Sequence, residues 1–232
     1  APLWAFFFGL IIASAVYIAK QIQKWSPINV GLLVLGFVLA FLITLLSPAE
    51  GSTNYIIVML AGMIAISALI LPGISGSFIL LLMGMYTIVR SQAEIALSTF
   101  AIDSLLVLIA FGIGCIIGLA LFARVLSFTF KNYKDQTLAI LTGFMIGSLN
   151  KIWPWWKPDS WLNKDSGLIE SDLSLMSKDL LLSDNIQLIG EIKVLPSSYL
   201  FFQPQVALCI LTMILGLAIV FALDRTDRKQ RK

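Results

Sequence analysis

The placement of charged residues constrains this chain more than any other feature of its sequence. Its 29 charged residues, 16 basic and 13 acidic, all fall outside a series of long apolar runs. An ionised side chain at the centre of a bilayer costs at least about 2.5 kcal/mol, so this exclusion is typical of segments that lie in lipid. Charged residues make up 12% of the chain, against roughly 25% in soluble domains. The pattern predicts an all-α, polytopic integral membrane protein.

Seven apolar segments are candidates for membrane helices. They cover residues 3–19, 28–46, 55–71, 78–89, 104–123, 137–149 and 206–223. A regular span needs about 20 apolar residues, so segments 78–89 and 137–149 are too short to cross a membrane alone. We therefore expect re-entrant or broken helices beside complete spans, all within a single transmembrane domain over residues 1–232.

Lysine and arginine collect in three connections and thereby predict the orientation of the chain. Basic residues follow the first span (Lys20, Lys24), the fifth span (Arg124, Lys131, Lys134) and the last span, in the tail RTDRKQRK. Short loops rich in lysine and arginine face the cytoplasm. We therefore expect these connections and the C-terminus on the cytoplasmic side.

Residues 159–203, unlike these basic connections, are rich in acidic residues. They contain seven acidic residues against three lysines and follow a tryptophan-rich stretch, KIWPWW. Tryptophan and tyrosine are enriched at the level of the lipid headgroups. We expect this segment to be an acidic extracytoplasmic loop insertion, either a solvated excursion or a surface that binds a partner.

The stretch SALILPGISGSFILLLMGMY places a proline–glycine cluster inside residues 51–89, which carry no charge. Segment 55–71 would enter from the outer side, turn at this cluster and return through segment 78–89. The short return arm favours a re-entrant hairpin over two thin spans. Irregular backbone at membrane depth is tolerated only where it is buried in protein or lines a wet cavity. The tip of the hairpin is therefore either a binding site or a packing turn, and both interpretations stay open here.

The residues of the tip suit an anion. Pro72 and Gly73 break the chain, and Ser75, Gly76 and Ser77 directly precede the return arm. Free N–H groups and the positive dipole end at a helix N-terminus attract phosphate or carboxylate, and glycine allows close approach to the backbone. The predicted chemistry is binding of a phosphate, without a covalent step.

Two basic residues end the short segments on the outer side. Arg90 follows the return arm, and Asn150 and Lys151 follow segment 137–149. Together they are predicted to form a basic entrance to the phosphate site. The alternative for Arg90 is that its side chain extends to the outer lipid headgroups, as long basic side chains do.

Other residue types limit the remaining function classes. The chain has no histidine, and its two cysteines lie inside apolar runs without a metal-binding spacing. We expect no cofactor and no metal site, and the protein is not expected to be an enzyme. The net charge of +3 sits beside the spans, so no nucleic acid is expected as a partner.

The hairpin and the segment TLAILTGFMIGSLNKIWPW together resemble the bacterial undecaprenyl-phosphate translocases (the PopT family), long catalogued as a membrane domain of unknown function. The opening FFFGLIIASAVYIAK is also similar to that family. The Pro-Gly-Ile-Ser-Gly-Ser motif, followed by Gly84 and Tyr86, is the more specific part of the resemblance.

The resemblance implies a carrier that returns undecaprenyl phosphate from the outer to the inner leaflet of the bacterial cytoplasmic membrane. It also implies an inverted-repeat transporter with an earlier Pro-Gly-x-Ser-Gly-Gly hairpin. No such motif precedes Pro72, and the chain begins without Met, so we expect an N-terminal repeat segment to be missing here. The implied partners are undecaprenyl phosphate and membrane lipids, with a second copy of the chain as a further candidate.

Two alternative functions belong to other classes. Integral undecaprenyl-pyrophosphate phosphatases also use re-entrant hairpins, with a Pro-Gly-x-Ser-Arg-Ser motif and paired glutamates. Gly76 stands at the arginine position, and the chain has no Glu-x-x-x-Glu cluster, so hydrolysis is disfavoured. An anion or small-solute channel would need a continuous polar stripe along several spans, whereas the serines and threonines here are scattered.

Overall fold

The computed structural model describes residues 1–163, 169–170, 186–199 and 203–230. The helices are α1 (Pro2–Ala19), α2 (Pro27–Leu45), α3 (Tyr55–Ile70), α4 (Gly76–Leu82), α5 (Met85–Thr99), α6 (Ile102–Asn132), α7 (Lys134–Ser148) and α8 (Val206–Gln230). Three strands, β1 (Trp156–Asn163), β2 (Ile169–Glu170) and β3 (Ile186–Lys193), and a 3-10 turn at Pro196–Ser198 lie between α7 and α8.

Four of the described helices, α1, α2, α6 and α8, are long and apolar enough to cross a membrane. Helices α4 and α5 form a bent pair at an angle of 103°, which makes up to five spans if that pair is counted as one. Helix α3 is apolar but shorter. The predicted class is confirmed: the chain is a multi-pass, all-α membrane protein with a broken helix.

Local sequence explains where two helices begin. The Ser26 hydroxyl accepts a hydrogen bond from Asn29 N at 3.3 Å, and Pro27 occupies the first turn of α2. The Asn54 side chain accepts one from Ile56 N at 3.0 Å at the start of α3. Such side chains satisfy backbone donors that have no partner within the first turn.

The chain divides into two compact units, and the first comprises Ala1–Ala13 and Ile152–Lys232. Within it, the start of α1 packs closely on α8. Gly9 lies against the backbone of Met213, and Gly216 lies against the backbone of Phe6. The Thr212 hydroxyl donates to the Pro2 carbonyl at 3.0 Å. Small residues that let helix backbones approach are typical of packing between membrane helices.

A three-stranded antiparallel sheet in the order β2-β1-β3 belongs to the same unit. Strand β1 pairs with β3 from Trp156 opposite Lys193 to Asn163 opposite Ile186. The Trp153 indole N–H donates to the Val194 carbonyl at 2.8 Å and ties the chain before β1 to the end of β3. About half of the predicted acidic loop over residues 159–203 lies outside the described residues, and the described part contains strands that we did not predict.

The second unit, Ser14–Lys151, contains the predicted hairpin. Helices α2 and α7 lie side by side and run in the same direction: Gly143 lies against Leu33, and Gly147 lies against Phe37 and Ala40. At their N-terminal ends, Asp135 accepts hydrogen bonds from the backbone N–H groups of Gln23 and Lys24 at 3.2 and 3.0 Å.

Helices α3 and α6 form a second pair that runs in one direction. Gly114 lies against Met59, and Gly118 lies against Met63. The sequence patterns GIGCIIG and GFMIG predict contacts of this kind, and four of the five glycines make them. The prediction is wrong for Gly112, beside which a side chain would meet nothing within 4 Å.

The return arm of the hairpin is shorter than predicted. Segment 78–89 was expected to be one helical piece, but α4 ends at Leu82 and α5 begins at Met85. Gly84 adopts a left-handed conformation with φ 67°, which glycine reaches without the steric cost of a side chain. The connection from α2 to α3 holds this bend, since Ala49 N donates to the Leu82 carbonyl at 2.8 Å. The apolar pattern did not reveal this break because it continues without interruption through residue 89.

Candidate functional site

The tip of the hairpin is a tight turn between α3 and α4. Leu71 is extended (φ −72°, ψ 126°), as expected for the residue before a proline. Gly73 has φ 88°, a conformation that favours glycine. The Ile74 N–H closes the turn on the Leu71 carbonyl at 3.4 Å. Pro72 and Gly73 therefore shape the backbone of the tip, as their sequence predicts.

The two serines of the motif lie next to each other and face outward. The hydroxyl oxygens of Ser75 and Ser77 are 2.7 Å apart, and both residues are exposed. A hydroxyl can donate and accept, so the pair offers two donors to a ligand whose oxygens replace their mutual contact. This is the part of the predicted site that the structure presents most openly.

Gly76, between the two serines, has a packing contact. It is buried, and a Cβ built on it would lie 2.6 Å from the Ala65 carbonyl oxygen of α3. The absence of a side chain lets the two arms of the hairpin touch. The structure thus supplies a reason for glycine at this position that does not involve a ligand.

The tip contacts the C-terminal end of α7, which is distant from it in sequence. Gly73 lies against the hydroxyl of Ser148, and a Cβ built on Gly73 would lie 3.2 Å from the Met145 Cα. The Ser148 hydroxyl is buried and donates to the Met145 carbonyl at 2.8 Å. A substituent on Gly73 would push this end of α7 away from the hairpin.

The same end of α7 brings Lys151 to the hairpin. Its ammonium lies 5.0 Å from the centroid of the Phe78 ring, and Phe78 directly follows Ser77. The distance is typical of a cation–π contact. Lys151 is exposed, so its ammonium is accessible beside the residue that follows Ser77. The structure therefore unites the two short, glycine-bearing segments that the sequence was expected to link.

Asn150 has a supporting position in this arrangement. Its side-chain N–H donates to the Thr44 hydroxyl at 2.7 Å, and that hydroxyl donates to the Phe41 carbonyl at 2.7 Å. These bonds attach the chain after α7 to the C-terminal end of α2. Asn150 thus positions the segment that carries Lys151.

Arg90 pairs with a neighbour on its own helix. It is on α5, beyond the 103° bend, and its Nε donates to Glu94 Oε1 at 2.9 Å. Both side chains are well exposed, at 70% and 65%. An exposed pair of this kind at i and i+4 contributes little to stability. Of the three residues of the predicted basic entrance, Arg90 contacts Glu94. Lys151 contacts Phe78 of the hairpin, and Asn150 contacts Thr44 of α2.

Sequence reasoning missed three residues of this neighbourhood, Thr44, Phe78 and Ser148. Ser148 lies shortly before the predicted Asn150 and Lys151, and Phe78 directly follows the motif. Closeness in sequence to predicted residues was therefore the only signal for Ser148 and Phe78, and Thr44 had none, because the contact partners lie 70 or more residues apart. Together the site presents hydroxyls, an amide and an ammonium, which are groups that bind an anion.

Comparison with known proteins relates the chain to one family of membrane transport proteins. Residues 1–169 match the model of the VCA0040-like family, described as undecaprenyl phosphate translocase-like. The chain is 39% identical, over 232 residues, to a polyprenyl-phosphate transporter of Vibrio cholerae, and the match covers 98% of the chain and 67% of that relative. It is 32% identical to a polyprenyl-phosphate transporter of Staphylococcus aureus over 66% of the chain and 58% of that relative.

No solved structure matches the chain. The family match covers well over half of its residues and includes the hairpin, the bend and the α7 end described above. The chain belongs to the undecaprenyl phosphate translocase-like family.

Proposed function

We propose that this protein transports polyprenyl phosphate across a membrane. In the detailed form of the proposal, it returns undecaprenyl phosphate from the outer to the inner leaflet of the bacterial cytoplasmic membrane, where the lipid is reused in envelope synthesis. The C-terminus lies in the cytoplasm, and residues 159–203 form an extracytoplasmic insertion. Family membership and the names of both relatives support the substrate.

The observation on which the proposal depends most is the contact of Lys151 with Phe78, the residue that directly follows the serine pair. The ammonium sits on the ring of Phe78, one residue after Ser77, and the hydroxyls of Ser75 and Ser77 are adjacent and exposed. One phosphate group that engages both hydroxyls and the ammonium would explain why these side chains are gathered at a backbone turn. Asn150 holds the Lys151 segment in place through Thr44.

The chemistry of transport explains why such a site is needed. A phosphate must cross about 30 Å of hydrocarbon, and an unpaired charge there is strongly disfavoured. Hydroxyl groups and an ammonium replace the hydrogen bonds that water makes to the phosphate, while the prenyl chain stays in an apolar environment. Charge-assisted hydrogen bonds are about twice as strong as neutral ones. No bond of the substrate is broken, so the proposed protein is a carrier and not an enzyme.

Alternating exposure of the site to the two sides completes the proposed cycle. Broken helices that meet at a binding site are typical of transporters built from repeats, which move one group of helices against another. We assign the hairpin and the α7 end to such a site because they meet at a broken helix and a helix terminus.

The test separates transport from hydrolysis. The protein is reconstituted into vesicles that contain undecaprenyl phosphate or its pyrophosphate, and leaflet exchange and release of inorganic phosphate are measured in parallel. We expect exchange of undecaprenyl phosphate without release of phosphate. Release of phosphate without exchange would contradict the proposal and favour a phosphatase.

A further inference from the structure

A large apolar groove lies beside the hairpin tip in the second unit. Its volume is about 510 Å³, within the range of roughly 300–1,000 Å³ that is usual for ligand sites. Residues of α2, α3, α4, α6 and α7 line it. The one hydroxyl among its lining residues, that of Ser67, is already used, since it donates to the Met63 carbonyl at 2.7 Å. The lining side chains therefore offer hydrocarbon contacts and no free hydrogen-bond donor.

The groove and the proposed phosphate site share the same short segment. Leu71 and Ile74, which flank Pro72 and Gly73, line the groove, and so does Ile79, two residues after Ser77. The hydroxyls of Ser75 and Ser77 are on one part of this turn, and the apolar walls begin on the residues next to it. A ligand bound at the tip therefore has a polar site and a hydrocarbon site within a few residues of each other.

We propose that this groove binds the first isoprene units of polyprenyl phosphate while the phosphate is at the tip. The inference rests on the proposed function. A prenyl chain is joined to its phosphate through a single ester oxygen, so a phosphate held by Ser75 and Ser77 forces the first units into the space that adjoins the turn. The rest of the chain continues into the lipid through the open side of the groove.

The groove also gives a physical reason for selectivity between lipids. Phosphatidic acid carries the same phosphate monoester, but its first segment is a glycerol diester with two carbonyl groups. Those carbonyls would enter a region without free donors, and a polar group without a partner in such a place is disfavoured. The groove is therefore suited to a phosphate on a plain hydrocarbon chain and unsuited to a glycerolipid.

Two tryptophan variants on one helix test the groove. Leu121 lines it and is 51% exposed, whereas Ile116 on the same helix does not line it and is 70% exposed. Both positions have room for a larger side chain, so both variants are expected to fold. Leu121→Trp should slow exchange of undecaprenyl phosphate about tenfold, because the larger ring occupies space in the groove that an isoprene unit would otherwise fill, and loss of that apolar contact weakens binding. Ile116→Trp should leave the rate within about twofold, as surface changes usually do.

The outcomes separate the groove from the transport function. If the wild-type protein exchanges undecaprenyl phosphate and both variants match it, the groove proposal is wrong and the function stands. If the wild-type protein shows no exchange, the proposed function is wrong and the groove proposal fails with it. Exchange of phosphatidic acid at the rate of undecaprenyl phosphate would also overturn the assignment, because it would show that the groove accepts a glycerolipid.

A second measurement does not depend on any variant. A polyprenyl phosphate with a photoreactive diazirine in its first isoprene unit is bound to the wild-type protein, irradiated, and the adducts are mapped by mass spectrometry. We expect adducts on groove residues such as Met63 and Phe122. Adducts that are as frequent at Ile116 as in the groove would overturn the proposal.

Discussion

The ammonium of Lys151 lies 5.0 Å from the centroid of the Phe78 ring and links the end of α7 to the hairpin formed by α3 and α4. The two residues are 73 positions apart in the chain, and each belongs to a region with a short segment that cannot span a membrane as a regular helix. The contact places a positive charge on the residue that directly follows Ser77, whose hydroxyl is 2.7 Å from that of Ser75. Most of the testable consequences of the proposed site follow from it.

Loss of the Lys151 charge should reduce transport. A hydrogen bond to a charged group contributes about 1.5–3 kcal/mol, so Lys151→Gln is expected to slow exchange of undecaprenyl phosphate by roughly tenfold to a hundredfold. Lys151→Arg keeps the charge and should retain most of the rate. Because Lys151 is exposed, thermal unfolding should change little in either variant. Equal rates for wild type and Lys151→Gln would remove Lys151 from the site.

The two serine hydroxyls should act as a pair. Ser75→Ala and Ser77→Ala each remove one donor, and the remaining hydroxyl loses its 2.7 Å neighbour. We expect each single variant to slow exchange. The loss of ln rate in the double variant should be smaller than the sum of the two single losses, because the effects of substitutions at contacting residues do not add. Both sites are exposed, so stability should stay within about 0.5 kcal/mol. A double variant with wild-type exchange would exclude the pair as ligands.

Gly76 should matter for stability, and the contact with Ala65 gives the reason. A methyl group there would lie 2.6 Å from a backbone carbonyl oxygen, which can move only with its helix. Gly76→Ala is expected to destabilise the protein by about 1–3 kcal/mol, as overpacking does. Gly112→Ala is the matched control, since nothing lies within 4 Å of a side chain there. The measurement is thermal unfolding in detergent, and similar melting temperatures for the two variants would show that the hairpin arms are not in contact.

Arg90 should be dispensable for binding. Its guanidinium is paired with Glu94 at 2.9 Å on an exposed helix face, and such pairs contribute little. We expect Arg90→Gln to exchange undecaprenyl phosphate within about twofold of the wild-type rate, as is usual for an exposed position, in contrast to Lys151→Gln. A loss of exchange as large as that of Lys151→Gln would restore Arg90 to the predicted basic entrance.

The sequence predicted the membrane helices well because the signal for them is local. Apolar runs without charge locate α1, α2, α3, α6, α7 and α8 to within a few residues at most ends. The exceptions follow the same logic: α6 continues to Asn132 and α8 to Gln230, since a helix need not end where its apolar part ends. Charged residues such as Arg124 favour helix as much as apolar ones do.

The site was only partly predictable, because its parts are joined by tertiary contacts. Pro72, Gly73 and the two serines form a turn that the motif alone indicates. The contact of Gly73 with Ser148, and that of Asn150 with Thr44 across more than 100 residues, depend on how the α2–α7 pair packs. The bend at Gly84 likewise depends on the Ala49–Leu82 hydrogen bond, which no pattern within residues 78–89 contains.

The most direct test of the proposed site compares leaflet exchange of undecaprenyl phosphate by the wild-type protein and by the triple variant Ser75→Ala, Ser77→Ala, Lys151→Gln in the same vesicles. We predict exchange by the wild type well above that of protein-free vesicles, and exchange by the triple variant at their background level. Background exchange by the wild type, or undiminished exchange by a folded triple variant, would contradict the proposal.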